Sequence, residues 1–261
     1  MKFEQIRSAT IRIEYAGKTF LVDPWLMPKN AMGPLVGFSL VNPAIKDIKM
    51  PMLELPKSPE DILANVDAYI VTHVHPDHLD MNADGTGGNL LQKSTTVLVQ
   101  NIEDAEYMSR SGFKSVEIMQ DGGLDLAGEI RLIKTPGLHG SKIPCGPASG
   151  FILQHQQEKT VYVAGDTIWY PNVKKILETY QPDIIILNAC AAELLDFGRL
   201  IMDDNDIYEV YKTCPKATII ASHMDTVSHA TLTRETLRQK LIEKGIAENI
   251  LIPADGESYQ F

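Results

Sequence analysis

Three of the seven histidines in this chain fall within six residues, His73-Val74-His75-Pro76-Asp77-His78. Neutral imidazole and carboxylate at this density are donors for Zn²⁺, Mn²⁺ or Fe rather than for Ca²⁺. Thr72 ends an apolar run, so the string begins where a strand leaves its sheet. Residues two apart on an extended segment point the same way, so His73 and His75 can share one ion. Pro76 fixes its own φ and disfavours helix at His75, which keeps the segment extended. Asp77 and His78 then point elsewhere, which suits a second ion beside the first. One ion needs at least three protein donors, so the remainder of the chain must supply more.

Three further stretches offer them. His139 follows a strand-like run within Thr135-Pro136-Gly137-Leu138-His139-Gly140, Asp166 closes Val161-Tyr162-Val163-Ala164-Gly165, and His223 follows Thr218–Ser222. Each lies at the C-terminal end of an expected strand, where open α/β sheets place their sites. His229, six residues on, competes with His223 for the last position; His223 is favoured because it directly follows the strand. His229 otherwise suits proton donation to a leaving group. Ligating imidazoles usually donate their second N–H to a carboxylate or carbonyl, and Asp23, Asp80 and Asp225 are candidates, with turn or cap duty the equal alternative. No Ser-His or Cys-His nucleophile pair is evident. Lys142, Arg199 and Arg234 are the basic residues nearest the motifs and the candidates for contact with a phosphate. Cys145, after the His139 loop, reads as a thiol without chemistry, and His155, in a Gln-rich hairpin, as exposed and idle.

The elements that must position these groups can be read from periodicity and punctuation. Residues 7–24 alternate as a hairpin around Ala16-Gly17-Lys18. Residues 26–58 mix Met and Pro with no lasting period, as expected of a functional or mobile loop; their Met, Leu, Val and Phe38 offer an apolar wall, or a subunit interface. Ser58, Asn101, Asp203 and Thr233 are helix N-caps, and Pro171 opens a further helix to Tyr180. Strands are expected at 68–72, 95–100, 115–119, 129–134, 149–155, 160–164, 183–187, 217–221 and 249–253. A strand-rich first half and an alternating second half predict two packed sheets with helices outside.

The chain has 261 residues, 24 basic against 34 acidic, a net charge of −10 and a sequence pI near 5.2. That balance argues against binding along a nucleic-acid backbone, which needs clustered Lys and Arg. The three cysteines, Cys145, Cys190 and Cys214, match neither a disulfide framework nor a thiolate zinc site. The N-terminus lacks a continuous apolar h-region and no window reaches 18 apolar residues, so neither export nor a membrane span is expected. A reducing cytoplasm is the expected compartment.

The ordered set of motifs resembles the metallo-β-lactamase-fold hydrolase superfamily, from the opening hairpin with Leu21-Val22-Asp23-Pro24-Trp25 to Asp255-Gly256-Glu257. Thr72 to Asp80 and Ser222-His223-Met224-Asp225 look closest to the L-ascorbate-6-phosphate lactonase-like and N-acyl-phosphatidylethanolamine phospholipase D-like branch. The resemblance implies a four-layer αββα sandwich (α/β, α+β) spanning 1–261 as one hydrolase domain, with 26–58 as a loop insertion. It implies two divalent transition-metal ions, zinc first, with manganese or iron as alternatives. His73, His75 and His139 would hold the first, Asp77, His78 and His223 the second, with Asp166 bridging. Asp77 and His229 are the residues expected to act in catalysis. The bridging aspartate and the lack of a signal speak against antibiotic degradation. The activity implied is attack by a metal-activated hydroxide on a small ester or lactone-like substrate. A phosphodiesterase on the same site is the alternative, with Lys142 and Arg199 as substrate contacts, and a metal-binding module without catalysis is the third reading. The expected partner is a small molecule, not a nucleic acid; a homo-oligomer is left open.

Overall fold

The computed structural model describes residues 1–127 and 129–261. Two seven-stranded sheets face each other. The first runs in the order Ser258–Gln260, Lys2–Arg7, Thr10–Tyr15, Lys18–Val22, Ala68–Val71, Thr96–Val99, Val116–Ile118. The second runs Ile250–Leu251, Thr218–Ser222, Ile184–Asn188, Val161–Val163, Ser149–Gln154, Ile130–Pro136, Leu124–Leu126. Each sheet has an antiparallel half and a parallel half. Helices α1 (Pro59–Leu63) and α2 (Ile102–Arg110) cover the first sheet; α3 (Pro171–Tyr180), α4 (Asp204–Thr213) and α5 (Arg234–Glu243) cover the second. This is the αββα sandwich.

Continuous aliphatic strands make the layering possible. Successive side chains on a strand point to opposite faces, and a strand buried on both faces reads as an unbroken apolar run. In the run Ile184–Leu187, Ile184 and Ile186 join the core between the sheets, whereas Ile185 and Leu187 pack with Val173, Ile176 and Leu177 of α3. The first sheet repeats the device: Ala68 and Ile70 point inward, Tyr69 and Val71 towards Ala105 and Met108 of α2. The four N-caps predicted from sequence are made: Ser58, Asn101, Asp203 and Thr233 each accept a backbone N–H of the first turn.

The structure adds short strands at Leu124–Leu126, Glu193–Leu194, Gly198–Arg199 and Ser258–Gln260, and departs further from the sequence reading in three places. The first sheet gains Lys2–Arg7 ahead of the expected hairpin, paired with both Thr10–Tyr15 and the chain end. Its polar residues concealed it, because Glu4, Gln5 and Arg7 are themselves buried. The segment 26–58 is not wholly irregular: Gly33–Pro34 pairs with Lys49–Met50, and Pro43–Ile45 forms a single 3₁₀ turn. Finally, the strand expected at 249–253 contracts to Ile250–Leu251. Among the described residues no helix is long and apolar enough to cross a membrane.

Ile186 is 1% exposed at the centre of the layer between the sheets. Ile186→Ala is expected to lower the unfolding free energy by about 2–5 kcal/mol, read from urea denaturation.

Candidate metal centre

The sequence-predicted donors converge at one edge of the sandwich. His73 follows Ala68–Val71, Asp166 follows Val161–Val163, His139 follows Ile130–Pro136 and His223 follows Thr218–Ser222. The strands end there and the loops turn inward. Gly165, at φ +65°, permits the turn before Asp166; a Cβ on it would collide with the Ser149 carbonyl. His223 itself sits at φ +63° and Asp23 at φ +45°, left-handed conformations that cost a non-glycine residue free energy and persist where surroundings fix them.

A chain of hydrogen bonds fixes which ring nitrogen each imidazole presents. The Asp23 carboxylate can only accept. It takes the Thr72 N–H at 2.7 Å and the Thr72 hydroxyl at 2.8 Å, and it lies 2.8 Å from His78 Nδ1. His78 Nδ1 therefore carries a proton towards Asp23, which turns Nε2 into the cluster, where a metal would take the place of its proton. The Thr72 hydroxyl has spent its hydrogen on Asp23, so it accepts from His73 Nδ1 at 3.2 Å, leaving His73 Nε2 free. The Leu200 carbonyl does the same for His139 Nδ1 at 3.1 Å. His223 is steadied by its backbone N–H on the Ser8 carbonyl at 3.0 Å, with Ser8 Oγ 3.3 Å and Cys190 Sγ 3.8 Å from Nδ1.

The free faces point at one another. His73 Nε2 and His75 Nδ1 are 2.9 Å apart. Asp166 Oδ2 is 3.2 Å from His78 Nε2 and 4.0 Å from His73 Nε2, and 3.6 Å from the Nδ1 of His139 that Leu200 engages, while its Oδ1 accepts from Asn188 Nδ2 at 2.7 Å. Asp77 Oδ2 lies 3.5 Å from His223 Nε2. Three overlapping donor sets result: His73, His75 and His139; His73, His78 and Asp166; Asp77, His78 and His223. Among the described residues, His78 Nε2 and His223 Nε2 are buried without a hydrogen-bond partner. Buried polar atoms are usually paired, so two unpartnered imidazole nitrogens facing carboxylates fit ligation of a common cation. The donor set thus suits a divalent transition metal.

The electrostatics agree. Burial, together with the neighbouring imidazoles, holds His73 well below the usual range and brings His75 down to about 4, so both are neutral lone-pair donors at pH 7. Burial opposes charge on His78, but Asp166 and Asp23 outweigh it and push the imidazole up to about 10. Burial would also raise Asp166, yet His78 and the other imidazoles hold it well below the carboxylate range. The carboxylates draw positive charge to this spot.

The other sequence candidates divide. Asp23 meets His78 as described. Asp80 instead caps the Leu26 and Met27 amides, both at 2.9 Å. Asp225 pairs with Arg234 at 3.0 Å, and Arg234 also holds Asp255. Neither carboxylate touches a ligating ring, because a nearer cation or amide takes it. Lys142 donates to the Leu195 carbonyl at 2.7 Å, and Arg199 pairs with Asp203 and, at 3.0 Å, with Asp206; neither lines the pocket over the site. Cys145 and His229 do line it, and His229 Nδ1 is buried without a partner. His155 is half-buried and takes the Gln157 N–H. Asn188, Ser8 and the Leu200 carbonyl were not anticipated. Only Asn188 left a trace in the sequence, as a polar residue closing an aliphatic strand.

A family model described as the beta-lactamase superfamily domain matches residues 18–224. UPF0173 protein YddR of Bacillus subtilis (strain 168) is 43% identical over 266 residues, covering 100% of both chains. The chain belongs to the UPF0173 metal-dependent hydrolase family of the beta-lactamase superfamily. A UPF0173 metal-dependent hydrolase of Caldivirga maquilingensis is 30% identical over 69% of this chain and 65% of that one. Among solved structures, an isothiocyanate hydrolase from Delia radicum gut bacteria superposes on this UPF0173 member with a TM-score of 0.91 at 38% identity, covering 100% of this chain and 99% of the other. A possible metal-dependent hydrolase from Veillonella parvula DSM 2008 gives 0.91 at 36% identity, with the same coverage.

Asp23→Asn puts an amide donor against either the Thr72 N–H or the His78 N–H. Metal affinity of this variant is expected to fall about 10–100-fold, measured by competition with a chromophoric chelator.

Proposed function

We propose that the protein uses two divalent cations, zinc first among them, to hydrolyse a small uncharged electrophile with an apolar body. The class comprises an ester or lactone carbonyl and the isothiocyanate carbon for which the Delia radicum relative is named. His73, His75 and His139 would hold one cation and Asp77, His78 and His223 the other, with Asp166 between. We read the 261 residues as one hydrolase domain with 26–58 as its insertion, acting in the cytoplasm, where the free thiols of Cys145, Cys190 and Cys214 fit.

One observation carries the reading. The donor cluster opens into a pocket whose remaining wall is largely apolar, with Met32, Leu35, Phe38, Met50, Leu194 and Leu200 facing it. Among the described residues no Lys or Arg lines it. An uncharged substrate body loses little on entering such a wall, whereas the phosphodiester alternative finds no side-chain cation for its oxygens. The wall therefore supports an unphosphorylated ester or lactone carbonyl over a phosphodiester.

When bound, the cations lower the pKa of water and polarise the electrophilic carbon. The chain's own groups do the rest. The apolar wall seats the substrate body and excludes bulk water. Burial disfavours the Asp77 charge, but His223 and His78 keep this carboxylate ionised, so it accepts a hydrogen bond from the attacking water and orients it. Burial keeps His229 below its usual range and mostly neutral at pH 7. Its neutral ring, with Nδ1 without a partner, takes up a proton as the water attacks and passes it to the departing oxygen or nitrogen.

Zinc-loaded protein is expected to turn over an aryl ester, a lactone or an aromatic isothiocyanate and to lose that activity to EDTA, with bis(p-nitrophenyl) phosphate untouched. Turnover of the diester alone would overturn the substrate assignment. His229→Ala is expected to lower kcat about 100-fold with metal content unchanged.

A further inference from the structure

Among the described residues Arg7 is the one arginine with no exposed surface, and it is a charge the chemistry above does not use. Burial pulls its guanidinium down from the usual arginine value to about 10, so it stays charged at neutral pH. Among the described residues it has no carboxylate within ion-pair distance; Asp255, Asp80 and Glu54 act on it from farther off. Its donors go to three backbone carbonyls instead. Nη2 donates to Trp25 at 3.0 Å and Met27 at 2.8 Å, and Nη1 donates to Leu53 at 3.0 Å. The guanidinium also lies 5.2 Å from the Trp25 ring centroid.

Those three carbonyls belong to the two stems of the 26–58 segment, the entering stem at 25–27 and the returning stem at 53. Between them lie Met32, Leu35, Phe38 and Met50, the outer wall of the pocket. The turn that carries Arg7 also touches the metal centre. Ser8, at φ +54°, accepts the His223 N–H and sets its hydroxyl 3.3 Å from His223 Nδ1. Thr10 donates its hydroxyl to the Asp23 carbonyl at 2.6 Å and accepts the Trp25 N–H at 3.1 Å. One four-residue stretch therefore contacts a ligand, the residue that orients another ligand, and both stems of the wall.

We propose that Arg7 is a positioning residue whose guanidinium fork locks both stems of the 26–58 wall, so that the shape of the substrate pocket is set from the first strand. A fork with fixed N–H directions can satisfy carbonyls from two stems at once; an ammonium keeps the charge but not that geometry. The inference rests on the reading of 26–58 as the substrate wall, but its physical content is the tethering of the segment, which needs no substrate to observe.

Arg7→Lys isolates the fork from the charge. Lys29, Lys46 and Lys49 are exposed between the two stems and give trypsin three places to report opening of the wall. Zinc-loaded Arg7→Lys is expected to be cut at these lysines about tenfold faster than wild type, with unchanged metal stoichiometry. With whichever uncharged substrate the wild type turns over, KM should rise about tenfold while kcat stays within about threefold. Cleavage at the wild-type rate overturns the proposal, as does metal loss in step with kcat, which marks general damage to the centre. Absence of any turnover in the wild type defeats the proposed function and leaves the proteolysis comparison to decide this one. Should Arg7→Lys not fold, hydrogen exchange of the wild type decides: amides at 26–32 and 52–54 must open together, and independent exchange of the two stems overturns the tether.

Discussion

Five imidazoles and two carboxylates share a largely buried space at the sandwich edge, and a cation is the group that would offset the cost of gathering them there. A buried carboxylate is costly unless paired, and a buried imidazole lone pair is costly unless it meets a donor or a metal. Within the cluster the outer nitrogens of His73, His78 and His139 are satisfied by a hydroxyl, a carboxylate and a carbonyl. Their inner nitrogens and the oxygens of Asp77 and Asp166 face inward on one another. Asp23 organises much of this, since one carboxylate ties the end of a strand to the proton of His78. A cation in that space offsets the cost of gathering these groups, and metal binding is then coupled to the stability of the fold.

The sandwich supplies the convergence. Parallel strands in both sheets end at the same edge, so loops that are distant in sequence turn towards a common point. The core between the sheets, from Phe3 and Ile13 to Phe151 and Ile186, is apolar and fixes the mutual placement of those ends. The helices bury the outer faces and stay away from the site. The chemistry is thus carried by loops, and the precision by strands.

The convergence of these side chains was legible because metal-type chemistry constrains residue type and strand ends constrain spacing. The His73–His78 string, the carboxylate after Gly165 and the histidine after Ser222 each stand at a strand end that aliphatic runs such as Ile184–Leu187 announce. The supports around them were less visible. Ser8 and the Leu200 carbonyl act through backbone or through a common hydroxyl, and no residue type marks such duty. Asp80, Asp225, Lys142 and Arg199 were close in sequence to the motifs, yet each is taken by a nearer amide, carbonyl or charge, and sequence proximity could not tell which. The strand Lys2–Arg7 was hidden because it buries Glu4, Gln5 and Arg7, against the usual pattern of polar residues outside.

Anomalous diffraction from a crystal of protein purified without chelator, collected above and below the zinc edge, tests the metal centre most directly. Two peaks are predicted, one among His73, His75 and His139 and one among Asp77, His78 and His223, with Asp166 Oδ2 contacting both. A map without metal density there, or with density elsewhere while these side chains hydrogen-bond only to one another and to water, would contradict the account.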